Sequence, residues 1–235
     1  MRLLLIVLMM LPFPLYAAED MNAPQKVDEQ IRKQLSDVRI DAIRRSPIKG
    51  IYEVQAGSNL YYSDSSGRHL IANGHIFDTI TKQDLTAARI EEINRIDWAL
   101  LPLDKAIVSG DPDGVEVAVF TDPDCPYCRQ FETNLKSETG VKVYTFLFPI
   151  TQLHPQARGK AEAIWCSKDQ HKALLEVMLE NRSLAAGTCE TPLDEIALLA
   201  RKFNIQGTPT LIARDGRKLG GMPPAGQLKP WLNKK

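Results

Sequence analysis

The tetrad Cys125-Pro126-Tyr127-Cys128, set directly after a hydrophobic run, restricts this chain more than any other feature. Val115–Thr121 is rich in β-branched and aromatic residues and reads as a buried strand, which Asp122 to Asp124 and the neighbouring prolines bring to an end. A helix is expected to begin at the first cysteine. Pro126 suits the first helical position, where its missing N–H costs nothing; Phe131 and Leu135 follow Cys128 at helical spacing, and Gly140 closes the segment. Cys125 then lies at a helix N-terminus, where unpaired N–H groups and the positive end of the dipole favour a thiolate. Cys128, one turn on, faces inward within disulfide reach. The expected roles follow: Cys125 attacks, and Cys128 resolves the mixed disulfide or waits while the attacked molecule reshuffles.

The competing reading of C-x-x-C is half of a zinc site, which needs two more ligands at similar local spacing. Cys166 and Cys189, the other two of four cysteines, are far apart, although His154 and His171 are available in principle. A strand-to-helix C-P-Y-C fits the redox motif better, so neither a metal nor an organic cofactor is expected. His69, His75, His154 and His171 are scattered and read as solvated or structural residues, and Trp165 and Trp231 as ordinary core or surface aromatics.

Met1 to Ala18 has the form of a secretory signal: Arg2, the apolar run Leu3 to Leu11, then a proline-containing stretch and small residues at Ala17 and Ala18. The apolar run is too short to span a bilayer, and no stop-transfer pattern follows, which argues against a membrane anchor. With 29 basic and 29 acidic side chains, the charge balance gives no reason to expect nucleic acid or an anionic membrane as partner. An exported chain with four cysteines implies an oxidising compartment, and three pairings are possible. If Cys125 and Cys128 form one bridge, Cys166 and Cys189 form the other. Cys166 sits in a helix-like stretch and Cys189 in a loop, so this second pair reads as structural, with a second redox pair as the alternative.

Beyond the signal, residues 19–80 read as a small α+β unit. Val27 to Val38 forms an amphipathic helix carrying Val27, Ile31 and Leu35 on one face, and strands are expected at Ile40–Ile48, Gly50–Gln55, Leu60–Ser63 and His69–Thr79. So small a unit buries little apolar surface alone, so assembly with a partner is expected, the alternative being packing on its own chain. Thr81-Lys-Gln-Asp84 has the spacing of a capping box before a helix with Leu85, Ala88, Ile93 and Ile96 on one face, which Pro102 stops. Residues 81–107 therefore read as a linker helix, or else as the first helix of the second domain. From 108 to 235 the expected order is strand Val115–Thr121, helix Cys125–Ser137, strand Val141–Pro149, a long helical region Pro155–Arg182, helix Leu193–Phe203, strands Thr210–Ala213 and Lys218–Gly221, and helix Gly226–Asn233. That order describes a thioredoxin fold with a helical insertion, its hairpin turned by Arg214-Asp-Gly-Arg217.

Phe120-Thr-Asp-Pro-Asp-Cys-Pro-Tyr-Cys128, Ile205-Gln-Gly-Thr-Pro209 before a strand, the cysteine pair inside the insertion and an exported amino-terminal domain together resemble the DsbC/DsbG family of periplasmic disulfide isomerases. The Pro126-Tyr127 dipeptide looks like DsbG, whereas Cys166 and Cys189 look like the structural bridge of DsbC; the second pair favours DsbC. The resemblance implies a homodimer joined through the amino-terminal domains, with two catalytic domains facing a cleft that holds misfolded exported proteins. It implies a cis Pro209, with Thr208 and Pro209 beside Cys125 and, together with Pro126 and Tyr127, contacting substrate. It also implies a membrane thiol reductase of the DsbD type that keeps the pair reduced. The implied activity is rearrangement of wrong disulfides, with a DsbG-like sulfenic acid reductase or a holdase chaperone as alternatives. Thioredoxins carry a buried carboxylate where this chain has Val119, so proton transfer at Cys128 falls to water or Glu132. Asp122 and Asp124 are expected to oppose thiolate formation at Cys125.

Overall fold

The computed structural model describes residues 21–234. The expected signal, Met1 to Ala18, lies outside the described residues. The chain divides into two compact units, one ending at Gly74 and one beginning at His75.

In the first unit, α1 (Gln25–Gln34) precedes an antiparallel sheet of β1 (Ala42–Arg45), β2 (Ile51–Ala56), β3 (Asn59–Asp64) and β4 (Leu70–Ile71), in that order across the sheet. Its core is Ile31, Ile43 and Val54, flanked by half-buried Val27, Leu35 and Tyr52, so the apolar stripe of α1 meets one face of the sheet. Asp28 in the first turn and Arg32 and Lys33 in the last complement the helix dipole. The helix stops short of the expected Val38, because the chain leaves helical geometry at Leu35 and continues into Ser36 and Asp37, weak helix formers. The expected strand His69–Thr79 is also broken. Only Leu70 and Ile71 pair with β3, and Asn73 in left-handed backbone, followed by Gly74, turns the chain away.

The second unit opens with a hairpin of β5 (Phe77–Asp78) and β6 (Gln83–Asp84) leading into α2 (Leu85–Ile93). The helix is capped by Asp84, whose carboxylate accepts the Ala87 N–H at 2.9 Å, and not by Thr81. Thr81 lies in the hairpin turn beside Lys82, which has positive φ, and gives its N–H to Asp78. α2 ends at Asn94, and the following stretch runs through two short 3₁₀ turns, Trp98–Leu100 and Leu103–Lys105, in place of a continued helix. Its side chains Ile96, Trp98, Leu101 and Ala106 are buried in the core of this unit.

The main sheet comprises β7 (Ile107–Gly110), β8 (Val115–Thr121), β9 (Val141–Leu147), β10 (Thr210–Ala213) and β11 (Lys218–Gly220), in the order β11-β10-β8-β9-β7. β8 and β9 are parallel and joined by α3 (Pro126–Leu135), the crossover a parallel pair requires; every other pairing is antiparallel. From Val117 onward β8 is buried on both faces, which explains the apolar run Val117–Phe120. Ala118 and Phe120 face a core with Phe146, Ile212 and Ile196 of α6 (Leu193–Lys202), while Val117 and Val119 face Phe131 of α3 and Leu228 and Leu232 of α7 (Leu228–Leu232). The expected helical region Pro155–Arg182 is two helices, α4 (Ala157–Trp165) and α5 (Gln170–Leu179), because Asp169 breaks the run by accepting the Lys172 N–H at 3.0 Å as a new cap. Strand β7 carries no local signal in the sequence, with Ile107 alone buried, and exists by its pairing with β9. This is the thioredoxin arrangement with a helical insertion, within an overall α+β chain.

Two details lock the unit together. Gly216, in the β10–β11 turn with φ +89°, lies so close to Ile96 that a Cβ would come within 2.6 Å of its carbonyl oxygen, and that approach lets Ile96 N–H bond Gly216 O at 2.8 Å. Arg217 is 3% exposed and spends its guanidinium on the Asp215 carboxylate (2.6 Å) and on the carbonyls of Trp231, Leu232 and Lys234 (2.8, 3.2 and 3.1 Å), with Trp231 stacked on it.

Candidate active site

The buried strand β8 delivers the motif to the carboxyl edge of the sheet. Asp122 to Asp124 form the turn there, with Cys125 N–H bonding Asp122 O at 3.1 Å, and Cys125 is the N-cap of α3 with Pro126 at its first position. Arg129 N–H closes the first helical bond onto Cys125 O at 3.1 Å. Both cysteines are free thiols: Cys125 is 5% exposed and Cys128 is fully buried. Pro126 and Tyr127 between them are exposed, Tyr127 at 65%.

β10 pairs with β8 so that Thr210 lies opposite Phe120, which brings the loop before β10 to the same edge. The Thr208–Pro209 peptide is cis, and Cys125 Sγ donates to Thr208 O at 3.3 Å. Thr210 Oγ1 bonds Gly207 O at 2.7 Å and Gly221 N–H bonds Pro209 O at 2.8 Å, so the loop is tied on both sides. A groove of about 440 Å³ runs along it, lined by Gln206, Gly207, Thr208 and Gly220 among others. The geometry thus brings Cys125, Cys128, Thr208 and Pro209 into one site with Pro126 and Tyr127 on its rim.

Burial pushes the Cys128 thiol up to about 12. The Thr121 and Thr208 side chains and the Asp122 N–H, 3.5 Å from the sulfur, act in the opposite direction but do not overcome it. Thr121 Oγ1 makes no well-formed hydrogen bond of its own, yet lies near enough to favour the ionised sulfur. Cys128 is therefore a neutral thiol at physiological pH, packed among Leu147, Ile164 and Leu174.

The two acids before Cys125 are not free to act as the sequence implies. Asp122 is fully buried, and its carboxylate accepts the N–H groups of Asp124 (2.8 Å) and Ile150 (2.7 Å) and meets His154 Nδ1 at 3.0 Å. Asp124 accepts from Lys160 Nζ at 2.5 Å and from Arg129 at 3.4 Å. Both carboxylates beside Cys125 are thereby held by donors, Asp122 by two loop amides and His154, Asp124 by Lys160 of the insertion and Arg129 of α3. His154 and Lys160 belong to this shell; sequence reasoning missed their place because their partners lie more than thirty residues away, and nothing local marks the pairing.

Glu132, one turn beyond Cys128 on the inner face of α3, is 3% exposed, and its Oε1 has no hydrogen-bond partner. Burial pushes its carboxyl up to about 7. Farther out, Cys166 and Cys189 form a disulfide joining the end of α4 to the loop before α6. Gly187 lets that loop lie against α4, where a Cβ would come within 2.5 Å of Glu162 O. Among the described residues no set of three or more His, Cys, Asp or Glu side chains is grouped as a metal site requires.

Comparison with known proteins adds to this geometry. Residues 103–235 match the family model of a thioredoxin-like domain, and residues 18–87 that of the disulfide bond isomerase protein N-terminal domain. The chain is 33% identical over 224 residues to the probable thiol:disulfide interchange protein DsbC of Bordetella avium, covering 93% of this chain and 79% of the relative. It is 24% identical over 216 residues to the thiol:disulfide interchange protein DsbC of Escherichia coli, covering 89% of each. A crystal structure of a disulfide interchange protein from Neisseria gonorrhoeae superposes with a TM-score of 0.54 at 39% identity, over 56% of this chain and 96% of the other.

Proposed function

The chain belongs to the DsbC family of thiol:disulfide interchange proteins, and from that premise we propose how its own residues carry out disulfide isomerisation. Cys125 is the nucleophile. Its thiolate attacks a wrong disulfide in an exported protein; one substrate sulfur bonds to Cys125 and the other leaves as a thiolate. The mixed disulfide then has two fates. A substrate thiolate can return to the substrate sulfur, forming the new disulfide and releasing Cys125 unchanged, or Cys128 can attack Cys125 and release the substrate reduced.

The observation that carries this reading is the contrast within the motif: Cys125 sits at the helix start against Thr208 O, while Cys128 lies fully buried behind it as a neutral thiol. A protonated resolving thiol attacks slowly, which gives the substrate time to rearrange. The Thr208 and Pro209 backbone and the groove beside it would pair with an extended substrate segment, and exposed Tyr127 would cover it. Cys166–Cys189 serves as a structural bridge. The first domain joins two copies of the chain, a signal at residues 1–18 directs export to the periplasm, and a membrane thiol reductase of the DsbD type returns the pair to the dithiol form.

The test is refolding of a substrate with scrambled disulfides, paired with sedimentation. The wild type should restore substrate activity as a dimer, and Cys125→Ser should not. If Cys125→Ser retains full refolding activity, the nucleophile is assigned to the wrong residue. Suppression of aggregation that survives in Cys125→Ser measures a holdase contribution separately.

A further inference from the structure

We propose that Glu132 is the proton acceptor for the resolving attack by Cys128, and that a cavity between α3, α5 and the β7–β9 edge of the sheet links the Glu132 side to water. This rests on the cysteine roles given above. Cys128 and Glu132 are separated by one helical turn on the buried face of α3, a spacing that holds Cβ atoms about 5–6 Å apart. Glu132 lines a cavity of about 130 Å³ together with Ser109, Val143, His171 and Leu175, room enough for water that can carry its proton to solvent. Leaving a carboxyl oxygen buried without a protein partner is costly, and packing alone gives no reason for an acid here. The strand position behind the motif is filled by Val119, fully buried and apolar, so β8 places no base there.

The chemistry balances without an added reagent. With Cys125 joined to a substrate sulfur, the Cys128 S–H proton passes to the Glu132 carboxylate, directly or through water. The Cys128 thiolate attacks Cys125 Sγ, the Cys125–Cys128 bond forms, and the Cys125–substrate bond breaks. The substrate sulfur leaves as a thiolate, reduced, while the enzyme pair is oxidised, and the proton on Glu132 returns to the departing thiolate or to solvent. An acceptor that titrates near neutrality is matched to this task, whereas an ordinary exposed carboxylate would be too weak a base. The other ionisable groups on the cavity wall are Lys136 and Glu138 at the end of α3 and His171 on α5; β7 and β9 contribute none. His171 is itself held toward its neutral form by burial.

Mixing the reduced protein with a symmetric aromatic disulfide separates the steps, because the first chromophoric thiol released reports attack by Cys125 and the second reports resolution by Cys128. Glu132→Gln should leave the first release unchanged and slow the second by about a hundredfold, removing its inflection near pH 7. His171→Gln should keep that inflection. A second release in Glu132→Gln at the wild-type rate, or with the inflection intact, overturns the proposal. A wild type that gives no second release overturns the cysteine roles themselves, and this proposal with them. Should the variant fold poorly, carbon NMR of the Glu132 carboxyl in the wild type decides: its midpoint should differ between the dithiol and disulfide forms, and an identical midpoint in both refutes coupling to Cys128.

Discussion

The two units of this chain are built to different standards. The first gathers Ile31, Ile43 and Val54 into one cluster on a face of a four-stranded sheet, buries only Leu60 and Tyr62 besides among its described apolar side chains, and leaves Leu70 and Ile71 of its edge strand 43% and 48% exposed. The second buries both faces of its sheet and adds a third cluster around the insertion. A small domain buries a lower fraction of its surface and is correspondingly marginal. The difference teaches a division of labour: the two thiols and the Thr208 loop that the proposed chemistry uses lie in the more fully packed, rigid unit. The softer unit presents an open edge and exposed apolar side chains, features suited to association.

That contrast is open to direct attack. The largest expected effect is chemical: Cys125→Ser should reduce isomerase activity to the uncatalysed background while leaving the unfolding of both units unchanged, as measured by refolding assay and calorimetry. A shift in either transition would mean that site and scaffold are not separable. Next come matched core truncations. Ile31→Ala and Ile212→Ala, each at a fully buried position, should each cost about 2–5 kcal/mol. Denaturation followed by tryptophan fluorescence, which reports only the second unit because every tryptophan lies beyond residue 74, should register the second change and be nearly blind to the first. Equal response to both would show that the two units unfold together.

A smaller effect tests the electrostatics inside the rigid unit. Burial raises the Glu132 carboxyl from 4.5 to about 7, so the folded chain holds this proton where the unfolded chain has lost it. The associated stability is therefore complete below about pH 4.5, declines as pH rises toward 7 and is constant above; by the free energy of one pKa unit, the loss is about 3 kcal/mol. Glu132→Gln should flatten this slope and make the variant the more stable protein at pH 8, as read from urea midpoints. The smallest effect belongs to the partly exposed pair of Lys160 and Asp124: Lys160→Ala should cost about 0.5–1 kcal/mol, with a modest change in thiol reactivity measured by alkylation rate.

Local pattern made the rigid unit largely readable. Strands Val115–Thr121 and Thr210–Ala213 match their expected limits, and α6 differs only at Phe203, because burial on both faces or one clean apolar stripe writes itself into adjacent residues. β7 escaped notice since its four residues include a single buried side chain and its identity comes from pairing with β9. The boundary between the units is harder to read: Leu70–Ile71 and Phe77–Asp78 share one β-like stretch but pair with different partners, and the turn at left-handed Asn73 and Gly74 parts them. At the site, the two thiols and the Thr208-Pro209 loop were visible as motifs. The compensation of Asp122 by His154 and Ile150, and the isolation of the Glu132 carboxyl, depend on how the insertion folds back over α3, which no local spacing encodes.

The guanidinium of Arg217 has a consequence for how the chain tolerates trimming. Three of its four partners are backbone oxygens at Trp231, Leu232 and Lys234, so clipping the polypeptide ahead of Trp231 would strand a permanent cation in the interior with Asp215 alone to answer it. The last turn of α7 is thus a plug for a charge as much as a piece of helix. An exopeptidase working inward should stall there for as long as β10 and β11 hold their hairpin.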